Sequence, residues 1–204
     1  MTITVRRAGL AALAGTTLAA GLLAATIAGP ASAAPAPRTV APASHCVSAS
    51  VPVGAAVNVA PARCFTSFTD ALSHATQGAV RLPAGATTVT QSQLDSGRAR
   101  LMYQQPALVA TVVLGVSYKD TGQSGDTWIH TGTYGCDTNP DVDWQNTGPL
   151  VGPGGGWDNA IGSAVSFSDC TGRYWANSGF WGANIDTPWG SGVMNNASSS
   201  IQWY

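Results

Sequence analysis

Two stretches of the chain nearly repeat one another: Gly156-Trp157-Asp158-Asn159-Ala160-Ile161-Gly162-Ser163 and Gly192-Val193-Met194-Asn195-Asn196-Ala197-Ser198-Ser199-Ser200. Each sets a hydrophobe before an Asp/Asn pair and a Ser five positions after the pair begins. Upstream of each turn stands an aromatic residue followed by six residues and a Gly, Tyr118 to Gly125 in one copy and Trp175 to Gly182 in the other. An internal repeat constrains a fold more than composition does, because each copy should be one supersecondary unit that buries its apolar face against the other. Physically, the aromatic can pack over its own hairpin while the Gly takes a backbone shape that other residues resist. The late Ser, Ser163 or Ser200, can hydrogen-bond back to that hairpin and tie a fourth strand to the first.

The surrounding sequence suits strands. "LVATVVLGVSY" is a long β-branched run, "AVSF" and "SIQWY" are shorter apolar pieces, and Gly, Asn, Asp and Ser clusters separate them. Residues 108–204 are therefore expected to form an all-β sandwich, with "TGPLVGPGGGW" as a long loop. The order aromatic-x6-Gly, Asp/Asn pair and late Ser, present twice, resembles the βγ-crystallin family in its microbial Greek-key branch. That branch includes small secreted bacterial metalloproteinase inhibitors. The resemblance covers only 108–204 and implies a two-Greek-key βγ-crystallin-like sandwich. One departure concerns spacing, since Tyr118 to Asp158 is 40 positions and Trp175 to Asn195 is 20. The excess lies between Thr131 and Gly156, which holds Cys136 and the Gly-rich loop.

The resemblance also implies a calcium site with ligands from both copies. Carried onto this sequence, the oxygens are the carbonyls of Lys119, Ala176, Ala160 and Ala197 and the hydroxyl of Ser199. Asp158 is the one motif carboxylate, and Asp120 stands near the first hairpin aromatic. Gly162 takes the place of the other hydroxyl and has no side chain, so at most one weak calcium site is expected. The competing reading is two hydrogen-bonded turns without an ion, because Asp, Asn and Ser favour turns on their own account. No other cofactor is implied.

The N-terminal part reads differently. Arg6 and Arg7, the small and apolar run Ala11 to Ile27, and Ala31-Ser32-Ala33 make 1–33 a secretory signal peptide. The expected location is extracellular, with no membrane contact after cleavage. Residues 34–45 are Ala/Pro-rich and expected to be a mobile tail. Residues 46–106 form a small region, or propeptide, with short helices. One helix is read in "CFTSFTDALSHATQG", where Phe65, Phe68, Leu72 and Ala75 recur at helical spacing and Gly78 is a stop. "VRLP" is a possible short strand, and "TQSQLDSG" one further helical turn from an N-cap at Thr90 to Gly97. The region has too few large apolar residues for its own core, so it either packs on the second half or is removed.

Four cysteines allow three pairings. Pairing within each neighbourhood, Cys46 with Cys64 and Cys136 with Cys170, is expected because the two halves differ in composition. From Ala34 to Ala107 five Arg against two Asp give +3, whereas from Leu108 to Tyr204 one Lys and one Arg against eight Asp give −6. An acidic second half that holds all seven Trp argues against nucleic-acid binding, which needs a basic footprint. The remaining partners are cations, extracellular proteases and cell-surface glycans.

No enzyme is expected. Neither G-x-S-x-G nor HExxH occurs, and "GPGGGW" lacks the Lys-Ser/Thr of a phosphate loop. Asp141 and Asp143 read as a solvated pair, and His130 as a surface or partly packed residue on the same strand face as Trp128. The functional reading is a secreted, non-enzymatic binding or structural protein. Two alternatives remain. A proteinase inhibitor of the same implied fold would present the loop Thr131 to Gly156. A glycan-binding or toxin-like module would use Trp144, Trp175, Trp181 or Trp189, with Trp157 and Trp203 in the core.

Overall fold

The computed structural model describes residues 44–55, 61–105, 111–148, 150, 156–190 and 194–204. The expected signal peptide lies outside them, as does the expected tail up to residue 43. In chain order the elements are β1 (His45–Ala49), β2 (Val51–Pro52), β3 (Arg63–Phe65), α1 (Phe68–Ala75), α2 (Gln91–Gln104), β4 (Val112–Asp120) and β5 (Ser124–Gly132). They continue with β6 (Trp144–Asn146), β7 (Ser163–Ser166), β8 (Gly172–Asn177), β9 (Trp181–Asp186) and β10 (Ser200–Trp203). Among the described residues the chain is mostly β: two five-stranded sheets, ordered β3-β1-β5-β4-β7 and β2-β6-β10-β8-β9, with two helices.

The unbroken apolar run of β4 has a physical reason. Every residue from Val112 to Tyr118 is buried, because the first sheet is covered on both faces. Leu114 joins Trp128, Trp157 and Trp203 in the core between the sheets. Val113, Val116 and Tyr118 face the other way, into a second core with Phe68, Leu72 and Leu94 of the helices. A strand buried on both faces shows no polar alternation. The expected sandwich is thus joined by a helical layer, supplied by the N-terminal part.

That part is woven into both sheets. β1 starts at His45, the last residue of the expected tail, and runs parallel to β5. β3 extends the same sheet from β1, and β2 pairs with β6 in the other. The described residues of 46–106 thus pack on the second half. Helix α1 follows from Ser67, whose hydroxyl accepts from the Asp70 N–H, and from apolar positions on one face. Two local expectations need correction. Residues 80–83 ("VRLP") form no strand. Helix α2 does begin after a capping box at Thr90, but it passes through Gly97 to Gln104. Gly97 is a contact point rather than a stop, since a Cβ there would lie 2.5 Å from the Val80 methyl.

The two halves of the β region exchange segments. β6 lies between β5 and β7 in sequence, yet pairs with β10 in the opposite sheet. In return Trp189, between β9 and β10, bridges Ala164 of β7 through paired backbone hydrogen bonds. The halves therefore cannot separate without breaking both sheets.

Candidate functional site

The repeat read from the sequence has the same backbone in both copies. Gly122, Gln123 and Gly125 in the first hairpin have φ of +72°, +60° and +79°, and Gly179, Phe180 and Gly182 in the second have +79°, +64° and +92°. Left-handed φ at these places is where Gly is favoured. Each late Ser faces the aromatic across the sheet, Ser163 opposite Tyr118 and Ser200 opposite Trp175. Ser163 Oγ donates to the Asp120 carbonyl at 2.7 Å and accepts from the Gln123 N–H at 3.0 Å. Ser200 Oγ does the same with the Asn177 carbonyl and the Phe180 N–H, at 2.6 and 3.2 Å. Tyr118 is buried while Trp175 is half-buried, its indole N–H donating to Gln202.

The two Asp/Asn turns clasp each other. Asn159 N–H donates to the Ser198 carbonyl, and Asn196 N–H donates to the Ile161 carbonyl, both at 2.9 Å. Asn159 and Asn196 share φ of +54°, a left-handed shape that Asn tolerates better than most residues. These two turns carry two buried side-chain oxygens without a hydrogen-bond partner, Asp158 Oδ1 and Ser198 Oγ. Burying an unpaired carboxylate oxygen costs free energy unless something satisfies it. Calcium is a ligand of the right hardness for such atoms.

The two half-sites differ in room. Gly162 N–H donates to the Tyr118 carbonyl at 2.8 Å, as Ser199 N–H does to the Trp175 carbonyl. At Gly162 a Cβ would fall on the Lys119 carbonyl oxygen and lie 2.7 Å from the Asp120 carbonyl carbon. The Lys119 carbonyl thus fills the space that a side chain would need, and this half-site offers no side-chain oxygen at position 162. The other half-site retains Ser199, which is buried and follows Ser198, whose Oγ is one of the two unpaired oxygens. Its fit to calcium rests on those oxygens, with the Ala160 and Ala197 carbonyls in the same two turns and the Ala176 carbonyl beside Trp175. Among the described residues no group of three or more His, Cys, Asp or Glu side chains gathers into a metal site. The candidate set is mostly carbonyl and hydroxyl oxygen. Ser198 was not legible as a site residue, because the repeat pattern assigns it only as a spacer.

Nearby charge is already paired. Lys119 Nζ lies 3.2 Å from Asp126 and 5.3 Å from the centre of the Trp157 ring, next to Asp158 in sequence. Both disulfides join near neighbours: Cys46 to Cys64, which face each other across β1 and β3, and Cys136 to Cys170. The second pins the loop that follows β5. Within that loop the Asn139 N–H donates to Asp137 Oδ1 and the Asp141 N–H to Asn139 Oδ1, while the Asp143 N–H donates to the Trp203 carbonyl.

The Trp residues mostly contradict an exposed role. Trp144 and Trp189 are buried, as are Trp157 and Trp203, and only Trp181 at the β8–β9 hairpin is largely open, at 63%. His130 is also a correction: it is completely buried beside Trp128, because the strand face it shares with Trp128 is the inner one. A cavity of about 230 Å³ lies apart from the turns, between α2 and the start of β4, lined in part by Leu94, Asp95, Arg98, Leu101, Val112 and Val113. No helix among the described residues is long and apolar enough to cross a membrane. Compared with family models, curated proteins and solved structures, the chain matches none.

Proposed function

We propose that this chain is a secreted, non-enzymatic binding and structural protein of βγ-crystallin type, whose paired turns hold one weakly bound calcium ion. The reading takes the exchanged segments as two interlocked Greek keys, and the hairpin ties of Ser163 and Ser200 support it. Two disulfides fit an oxidising exterior. The observation that carries the metal is the clasp with its unpaired Asp158 Oδ1 and Ser198 Oγ. An ion there would satisfy both oxygens and bind the two halves together, so its role is stabilisation and not catalysis.

Thermal melts with calcium and with chelator test this directly. A site of the weak extracellular kind, filling at about 0.1–1 mM, adds about 1.4 kcal/mol at tenfold saturation. For a domain of this size that corresponds to about 2–6 °C in Tm. Asp158→Asn should lower the gain while leaving the chelated melt nearly unchanged. If calcium and chelator give the same Tm, the metal is to be dropped and the turns are structural alone.

A further inference from the structure

His130 sits on β5 where the two sheets face each other. Its Nε2 is 2.9 Å from Ser117 Oγ on β4, and Ser117 Oγ is 2.8 Å from Tyr174 Oη on β8 of the opposite sheet. Its Nδ1 is 3.2 Å from Asn146 Nδ2 on β6, also in the opposite sheet. The rings of Trp128 and Trp203 pack against it, with centres 5.0 and 5.2 Å away. One imidazole therefore uses both nitrogens to join the sheets.

The arrangement assigns the protons. Asn146 Nδ2 can only donate, so Nδ1 accepts and Nε2–H donates to Ser117 Oγ, which passes its own proton towards Tyr174 Oη. All these roles close around a neutral ring. Turning the Asn146 amide would let its unpartnered Oδ1 accept from a protonated ring, but would bring no negative charge. The groups facing the ring are Ser117 from β4, Trp128 from β5, Asn146 from β6, Tyr174 from β8 and Trp203 from β10. Tyr174 is the only titratable one, and burial raises its pKa so that it stays neutral. Arg173 pairs outward with Asp186, and His45 lies on Thr127 and Phe68.

We infer that His130 is an acid-sensitive latch: its neutral ring holds the two sheets together, and protonation in the opened state keeps them apart. Burial pushes the His130 pKa down to about 3, against about 6.5 in an unfolded chain. Below pH 6.5 the opened chain binds a proton that the closed chain refuses. Stability is then full above the unfolded value and falls with pH, by about tenfold in the unfolding constant per pH unit, until about pH 3. Asp186, whose pKa is lowered mainly by its hydrogen bond from Arg173, is lost only below the ordinary Asp range. Its window overlaps that of His130 only at the acid end.

Denaturant unfolding of the full chain, disulfides intact, followed by Trp fluorescence at pH 7, 6, 5 and 4, reads the latch. The unfolding constant should rise at least about tenfold per unit below pH 6.5, since burial also lowers the His45 pKa. His130→Gln should remove about one proton from that slope, while Asp186→Asn and His45→Gln keep the larger part. A slope unchanged in His130→Gln overturns the inference. If that variant does not fold, ring-¹⁵N-labelled histidine in the unaltered chain decides. His130 must remain neutral at pH 5 in the folded protein, and a ring that protonates near pH 6.5 with tertiary structure intact overturns the latch.

Discussion

Gly162 and Ser199 hold the same place in the two copies and meet different surroundings. Around Gly162 the Lys119 and Asp120 backbone closes in, whereas Ser199 is accommodated in a buried turn. Restoring the repeat with Gly162→Ser should therefore lower stability, by about 1–3 kcal/mol for an overpacked site, and leave calcium binding no stronger. A urea midpoint that rises, or a second calcium site, would refute this account of the cradle. The Asp/Asn pairs were legible because Asn at the second place tolerates the left-handed backbone that both turns adopt. The unpaired Ser198 hydroxyl was not legible, since nothing in a run of three Ser says which one turns inward. The burial of His130 was equally hidden, because alternation places it on a face without saying which face meets the other sheet.

At the scale of elements, the hairpins follow from the sequence more closely than the helices do. Aromatic-x6-Gly and a late Ser are local signals, and local hydrogen bonds realise them. Helix α2 outruns its expected length because Gly97 answers to Val80, a residue 17 positions away, and not to a helix terminus. Sequence spacing cannot report such a tertiary contact. The loop after β5 depends on Cys136–Cys170, which closes 34 positions. Replacing both with Ser should cost about 3–4 kcal/mol by the loop-entropy argument. Unfolding in guanidinium should show the loss with β content retained by circular dichroism at low denaturant. A midpoint that does not move would mean that β6 pairing alone holds the loop.

Over the whole molecule, the β character of 108–204 was legible and the layering was not. β4 and β5 are buried on both faces because α1 and its neighbours cover the outer side of the first sheet. That cover is made from residues too few to form a core alone, and so its place is set by the strands it meets. A chain shortened to 106–204 loses the β1 partner of β5, the β2 partner of β6 and the helical layer. It should show no cooperative melt in near-ultraviolet circular dichroism. A sharp transition near that of the full chain would instead show that the N-terminal part is dispensable, as a propeptide would be.

β10 sits between β6 and β8, with partners on both sides. It is also made after the other four strands of that sheet. Until Ile201 and Trp203 emerge, the second sheet lacks its middle and the central core lacks two of its buried side chains. β2 and β6, made earlier, form only one edge of that sheet until β10 arrives. The order of synthesis thus works against early closure of the second sheet, whose middle is made after the strands on both sides of it.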